Sequence, residues 1–276
     1  MHWSDPITLE PMTEVPKLDG SGYTNRIALS RAKDLGLLPR VTGVIDEMLG
    51  AGYGLQQYIR RTCILAAEGM VRDEGEDDAA YIERVDAEAR AYAASRRDRG
   101  KVVHGGVRDY LAEGSLSRDP AVCSAAQDIR SVIDKAAPSA IVPEKRLGGR
   151  RQRCTGQPDL YMEGCDLAAL RALCGVPSRF SSFASRERQT GNAIIDLKCT
   201  DLRSFKSPYK EHKYQLGGYA GLLGDDLDLK DTLLIHWYFD PARGGSRWIL
   251  LEDTPRWVRA YACLLEAWGL ETGYWG

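Results

Sequence analysis

The sequence predicts an α/β (α+β) protein: a mixed central sheet flanked by helices, behind a helical N-terminal portion. Three observations carry this. Over residues 1–138 apolar positions recur at helical intervals between capping residues and glycines. Over 139–276 the pattern shifts to short β-branched and aromatic runs bounded by turn residues. Helical stretches interrupt and close those runs. At 276 residues the chain can bury a full core, and we expect the two portions to pack as one compact domain.

The elements follow in order. Residues 26–35 mix apolar and charged side chains at helical spacing. Thr42 is placed to cap a helix over 44–49 that the glycines at 50–54 close. A helix over 55–70 puts Ile59, Cys63 and Ala66 or Ala67 on one face. The acidic run at 73–78 suits the entrance of a long helix from Ala79 to Arg99, since carboxylates favour the N-terminal end of the helix dipole. Gly100 admits a bend before that helix resumes through His104 to Leu111. A helix from Asp119-Pro120 runs to about Ala137 and stops before Pro138. Strands are expected at 141–147, 154–162, 193–199, 232–239 and 247–251, with a helix at 209–223 between the third and fourth. Thr254-Pro255 opens a closing helix carrying Trp257, Tyr261, Leu264, Leu265 and Trp268.

Composition excludes little. Hydrophobic content of 43%, charged content of 28% and a net charge of −2 are ordinary for a globular protein, and such a balance can still hide a local basic surface. There is neither a secretory pattern at the N-terminus nor an apolar run long enough for a bilayer, so no membrane association and a cytoplasmic location are expected. Seven cysteines without a C-x-x-C pair read as reduced thiols rather than a zinc or iron–sulfur site.

Three short segments carry the chemistry. In Gly156-Gln157-Pro158-Asp159, an aspartate enters an apolar strand. In Ile195-Asp196-Leu197-Lys198, strand alternation puts Asp196 and Lys198 on one face. Gln215 and Tyr219 lie one helical turn apart. Phosphodiester hydrolysis needs an activated water and a leaving oxygen relieved of charge. Two carboxylates at adjacent strand ends can hold hard divalent cations that do both, and a lysine two residues on can serve the water or the developing phosphate charge. Each piece alone also reads as ordinary structure: a surface ion pair, a turn aspartate, an amphipathic helix. Together, in this order, they are specific.

The combination resembles the RecB-like exonuclease branch of the PD-(D/E)XK nucleases. Gly156-Gln157-Pro158-Asp159 resembles its Gly-x-x-Asp, Asp196-Leu197-Lys198 its Asp/Glu-x-Lys, and Gln215 with Tyr219 its following helix. His104 matches the branch's upstream metal-binding histidine. The segment Leu38-Pro39-Arg40-Val41-Thr42-Gly43-Val44-Ile45 is similar to one in phage-type and mitochondrial genome maintenance exonucleases.

The resemblance implies a restriction-endonuclease-like core and hydrolysis of DNA from its ends, in phage or recombination-type processing. Mg2+ or Mn2+ would be held by His104, Asp159, Asp196 and the Leu197 carbonyl, with Lys198 serving the water and Gln215 and Tyr219 positioning Lys198 or the scissile phosphate. Glu144 would join the metal ligands, or else pair with Lys145 or Arg146. The branch's C-terminal cysteine cluster is absent, so no iron–sulfur cluster is expected. The long stretch between Asp159 and Asp196 implies an insertion at about 163–191.

Two basic runs bracket the proposed site: Lys145, Arg146, Arg150, Arg151 and Arg153, then Arg203, Lys206, Lys210 and Lys213. We read them as phosphate contacts, with Arg179, Arg186 and Arg188 of the insertion adding to them. DNA is the expected partner, and a single-strand annealing or recombination protein a conceivable second one. The alternatives are a structure-specific or restriction-type endonuclease, and a catalytically inactive nucleic-acid-binding protein.

Overall fold

The computed structural model describes residues 2–17, 23–24, 27–50, 53–149, 151–176, 190–223 and 231–275. The N-terminal portion holds the two-residue strands β1 (Trp3–Ser4), β2 (Pro11–Met12), β3 (Val15–Pro16) and β4 (Tyr23–Thr24), then α1 (Leu29–Asp34), β5 (Leu38–Pro39), α2 (Val41–Leu49), α3 (Tyr53–Gly69), α4 (Asp78–Glu113) and α5 (Pro120–Ala136). There follow β6 (Ala140–Pro143), β7 (Leu147–Gly149), β8 (Cys154–Gly156), β9 (Leu160–Asp166), α6 (Leu167–Leu173) and β10 (Thr190–Cys199). The chain closes with α7 (Lys210–Leu222), β11 (Thr232–Phe239), β12 (Ser246–Leu250) and α8 (Thr254–Thr272).

The architecture is mixed α/β. A five-stranded sheet has the order β12-β11-β10-β9-β6. Its one parallel pair is β10 with β11, and α7 supplies the crossover that parallel pairing demands. Strand β10 is buried on both faces, which explains its nearly continuous apolar run. Ala193, Ile195 and Leu197 pack with Val103 and Val107 of α4 and Ile129 of α5. Ile194 packs with Leu216 and Tyr219 of α7, Tyr261 of α8, and Val41 and Ile45 of α2. Asp196 therefore stands on an otherwise apolar face.

Local chemistry sets the helix ends. The Asp77 carboxylate accepts from the Ala80 N–H to cap α4, so the acidic run does open that helix. Asp119 caps α5 ahead of Pro120, whose missing N–H costs nothing at a first turn. Thr42, by contrast, caps nothing: α2 begins a residue before it, behind Arg40, which makes no side-chain cap bond. Nor does Gly100 divide α4, which runs unbroken for 36 residues. Its glycines allow close approach instead, since a Cβ at Gly106 would sit 2.3 Å from Val122 Cγ1 of α5.

Two expected strands are each divided in two. The first splits into β6 and β7 at Glu144, whose φ of +48° leaves the extended region. The second splits into β8 and β9 before Pro158, which lacks a ladder N–H. The N-terminal portion, expected to be mainly helical, also contains a small sheet of order β2-β1-β5. Of the insertion expected at 163–191, the end of β9, α6 and the start of β10 are seen, while 177–189 lie outside the described residues. Among the described residues no helix is long and apolar enough to cross a membrane.

Candidate active site

Antiparallel pairing of β9 with β10 sets Leu160 opposite Ile195, which brings Asp159, at the entrance of β9, beside the Asp196–Leu197 segment. The Leu197 N–H donates to Asp159 Oδ2 at 2.7 Å. Helix α4 crosses the sheet with Val103 and Val107 in the core, carrying His104 to the same strand ends. There His104 Nδ1 meets Asp159 Oδ1 at 2.9 Å. Because a strand residue projects its N–H and C=O to one side, the Leu197 carbonyl is directed towards the Asp159 edge.

The electrostatics follow from burial and pairing. Burial opposes a charge on His104, but Asp159, with Cys199 beside it, outweighs that and raises the imidazole to about 10. Burial likewise pushes Asp159 up, yet the His104 imidazolium and Lys198 hold it below its ordinary value. Asp196 is 2% exposed. Burial lifts it to about 6 against the pull of Lys198, and the neighbouring Asp159 charge adds to the rise. Lys198 resists burial through Asp196 and Asp159 and is raised, its Nζ lying 2.8 Å from Asp196 Oδ2. Two protonated groups thus neutralise two carboxylates.

Gln215 Nε2 donates to Tyr219 Oη at 2.7 Å. The Tyr219 ring lies against Gly156, where a Cβ would fall 2.7 Å from Cδ1, so the glycine of the Gly-x-x-Asp segment makes room for this tyrosine. Lys198 and Gln215 line a cavity of about 1100 Å³ between α2, α4 and α7. His104, Glu144, Asp159 and Leu197 line a second, much smaller one of about 10 Å³, close to the room a single water needs. Glu144 does not pair with Lys145 or Arg146, which turn to Glu163 and Glu10 at 3.3 and 3.0 Å. Its carboxylate accepts from Gln157 Nε2 at 3.3 Å, 3.9 Å from Arg108.

Among the described residues, the two basic runs do not line this large cavity. Arg153 covers the Trp275 ring, Lys210 that of Tyr214, and Lys213 that of Trp257. Arg146 meets Glu10, and Arg203 meets Asp201 at 3.5 Å. None of these residues, nor Arg151 or Lys206, lines the large cavity. Arg150, Arg179, Arg186 and Arg188 lie outside the described residues. The cavity's cations are Lys198 and, from α4, Arg96, Arg97 and Arg99. Sequence reasoning missed these arginines, although Arg97 precedes His104 by seven residues, two helical turns on one face.

It also missed two histidines behind the carboxylates. His236, paired in register with Asp196, is 0% exposed, neither ring nitrogen is hydrogen-bonded among the described residues, and its Nδ1 lies 3.9 Å from Asp196 Oδ2. His212 Nδ1 meets Tyr238 Oη at 2.9 Å. Burial lowers both, His212 to about 3.

No family model matches the chain, and neither does any curated protein. One solved structure, described as the crystal structure of SSO0001, aligns over 78% of this chain and 84% of its own, at 14% identity with a TM-score of 0.29.

Proposed function

We propose that the chain is a divalent-metal-dependent DNA exonuclease with a PD-(D/E)XK core. One observation carries the reading: His104, Asp159, Asp196 and Lys198, scattered over 95 positions of sequence, converge at the ends of two adjacent strands. The mixed sheet with a helical crossover after the lysine strand accords with it.

The residues suit a hard cation. Asp196 Oδ2 is buried against the Lys198 ammonium, and the donors on offer are carboxylate oxygens, a carbonyl and an imidazole. Among the described residues no three His, Cys, Asp or Glu side chains stand in a ready ligand arrangement. The His104–Asp159 and Asp196–Lys198 pairs account for that, each partner supplying the charge a cation would. Asp159, Asp196 and the Leu197 carbonyl would hold Mg2+ or Mn2+, with His104 in neutral form and Glu144 at the edge. When bound, such an ion polarises the phosphate and acidifies a water.

The chain's own groups do the rest. Released from Asp196, the Lys198 Nζ orients the attacking water and balances charge building on the phosphate oxygens. Gln215, braced by Tyr219, lines the approach to that ammonium. Leu197 and Trp237 bound the small cavity on its apolar side and restrict water there.

The test is cleavage of end-labelled linear DNA and covalently closed circles, with Mg2+, Mn2+ or chelator. Linear DNA should be degraded from its ends, circles should survive, and chelation should abolish the reaction. Nicking of circles at a comparable rate replaces the exonuclease with the endonuclease. Binding of DNA without cleavage in any divalent metal replaces the enzyme with a binding protein.

A further inference from the structure

Strands β10 and β11 run parallel with Asp196 opposite His236 and Lys198 opposite Tyr238, so these four side chains share one face of the sheet. Helix α7 covers that face and brings the His212 ring to 6.0 Å from that of His236. The neighbours of His236 are paired. Lys198 Nζ lies 2.8 Å from Asp196 Oδ2, and His212 Nδ1 meets Tyr238 Oη at 2.9 Å. His236 itself is 0% exposed, and among the described residues neither of its ring nitrogens has a hydrogen bond.

Even neutral, an imidazole carries one N–H donor and one acceptor nitrogen. Leaving such groups buried without partners is costly, and each instance calls for a reason. Packing supplies none here, because a leucine would fill the position without that cost. The surroundings narrow the choice. Across the pairing with β12 stands Ile249, which has no polar side-chain atom. The Tyr238 hydroxyl is engaged by His212. On the β10 side, Asp196 Oδ2 lies 3.9 Å from His236 Nδ1. That is too long for a hydrogen bond, and about 1 Å of movement would make it one. Lys198 holds the same oxygen in this structure, and it must let go if Asp196 is to ligate a cation. A ligating carboxylate is itself held by a hydrogen bond from behind, which fixes its orientation.

We propose that His236 is the positioning residue of Asp196: its Nδ1–H takes over Oδ2 as Lys198 releases it, and so holds the carboxylate in place for a divalent cation. A neutral ring offers that donor in its Nδ1–H tautomer. His236 acts through Asp196 alone and needs no contact with DNA. Its role rests on the nuclease reading of the site and adds to it the group that aims one of the metal ligands.

Calorimetry of Mn2+ binding without DNA, paired with thermal melts in chelator, tests the role. His236→Leu removes both nitrogens, His236→Gln places an amide near the Nε2 position, and His236→Asn places one near the Nδ1 position. The Leu and Gln variants should bind Mn2+ about tenfold or more weakly than the parent, the scale of a hydrogen bond lost behind a ligand, and the Asn variant within about threefold of it. Stability should part from affinity. His236→Leu deletes an unpaired buried polar group, so its Tm should equal or exceed the parent's while its Mn2+ binding falls. A histidine kept for packing gives the reverse, with Tm and affinity falling together and Asn no better than Gln. Parent-like Mn2+ binding by His236→Leu, or Asn and Gln variants that bind alike, overturns the role and leaves the nuclease reading standing. Should His236→Leu fail to fold, the comparison of Asn with Gln decides. A parent that binds no Mn2+ removes the metal from the site, and the role of His236 falls with it.

Discussion

Replacing Lys198 by methionine removes an ammonium 2.8 Å from a carboxylate that is 2% exposed, at nearly constant side-chain length. Asp196 already titrates at about 6, because burial outweighs the pull of that ammonium. Against an ordinary value of about 3.9, and at ~1.4 kcal/mol per pH unit, ionised Asp196 costs the folded parent roughly 3 kcal/mol. Because its folded value is raised, Asp196 supports the fold fully below about pH 4 and withdraws that support as pH rises. In the parent the withdrawal ends once the group ionises, near pH 6. In the variant the value climbs higher, the carboxyl stays protonated, and the loss continues. Between about pH 6 and pH 8 the variant should therefore lose roughly 2 kcal/mol more than the parent. At about 2–4 °C per kcal/mol for a chain of this size, the gap in Tm should widen by about 4–8 °C. Thermal melts of both proteins in chelator across that range read it directly. A gap that is the same at both ends of the range refutes the idea that Lys198 keeps Asp196 ionised.

Two further outcomes follow from the same geometry. Gly156→Ala should cost about 1–3 kcal/mol by overpacking, since its Cβ would lie 2.7 Å from Tyr219 and 2.9 Å from Leu222. It should also slow cleavage by shifting Tyr219 away from Gln215, and unchanged melting and rate would dismiss that coupling. Asp196→Asn should weaken Mn2+ binding by calorimetry by about tenfold or more, an amide being a poorer ligand for a hard cation. Undiminished binding would remove Asp196 from the ligand set.

Much of the framework was legible because its signals are local. The apolar run around Asp196 and Lys198 declared a strand with those two on one face, and Asp77 and Asp119 announced their helices. What was not legible depends on contacts made at a distance. Thr42 had the chemistry of a cap, but the chain enters α2 before reaching it. A two-residue strand such as β1 is too short to show a period. His236 reads as one more member of an apolar strand, and only the register of β11 with β10 sets it beside Asp196. The basic runs bracket the site in sequence, but only the fold shows that Arg153, Lys210 and Lys213 lie over aromatic rings and not in the large cavity. The arginines that reach the cavity sat unnoticed in α4, whose charged spacing reads as a solvated surface.

Helix α4 is also a lever. Its 36 residues extend about 54 Å at 1.5 Å per residue. Its buried residues are Ala89, Val103 and Val107, and the glycine contact with Val122 pins it at Gly106. That pivot lies two residues from His104 and nine from Arg97. A tilt of about 5° about Gly106 would carry the Arg97 backbone roughly 1 Å while moving that of His104 by only about 0.3 Å. The far end, with α3 packed along it, would swing by about 4 Å. The Arg99–Asp119 pair ties the helix to α5 between Arg97 and His104, so a strain on the distal arm would reach the arginines before the histidine.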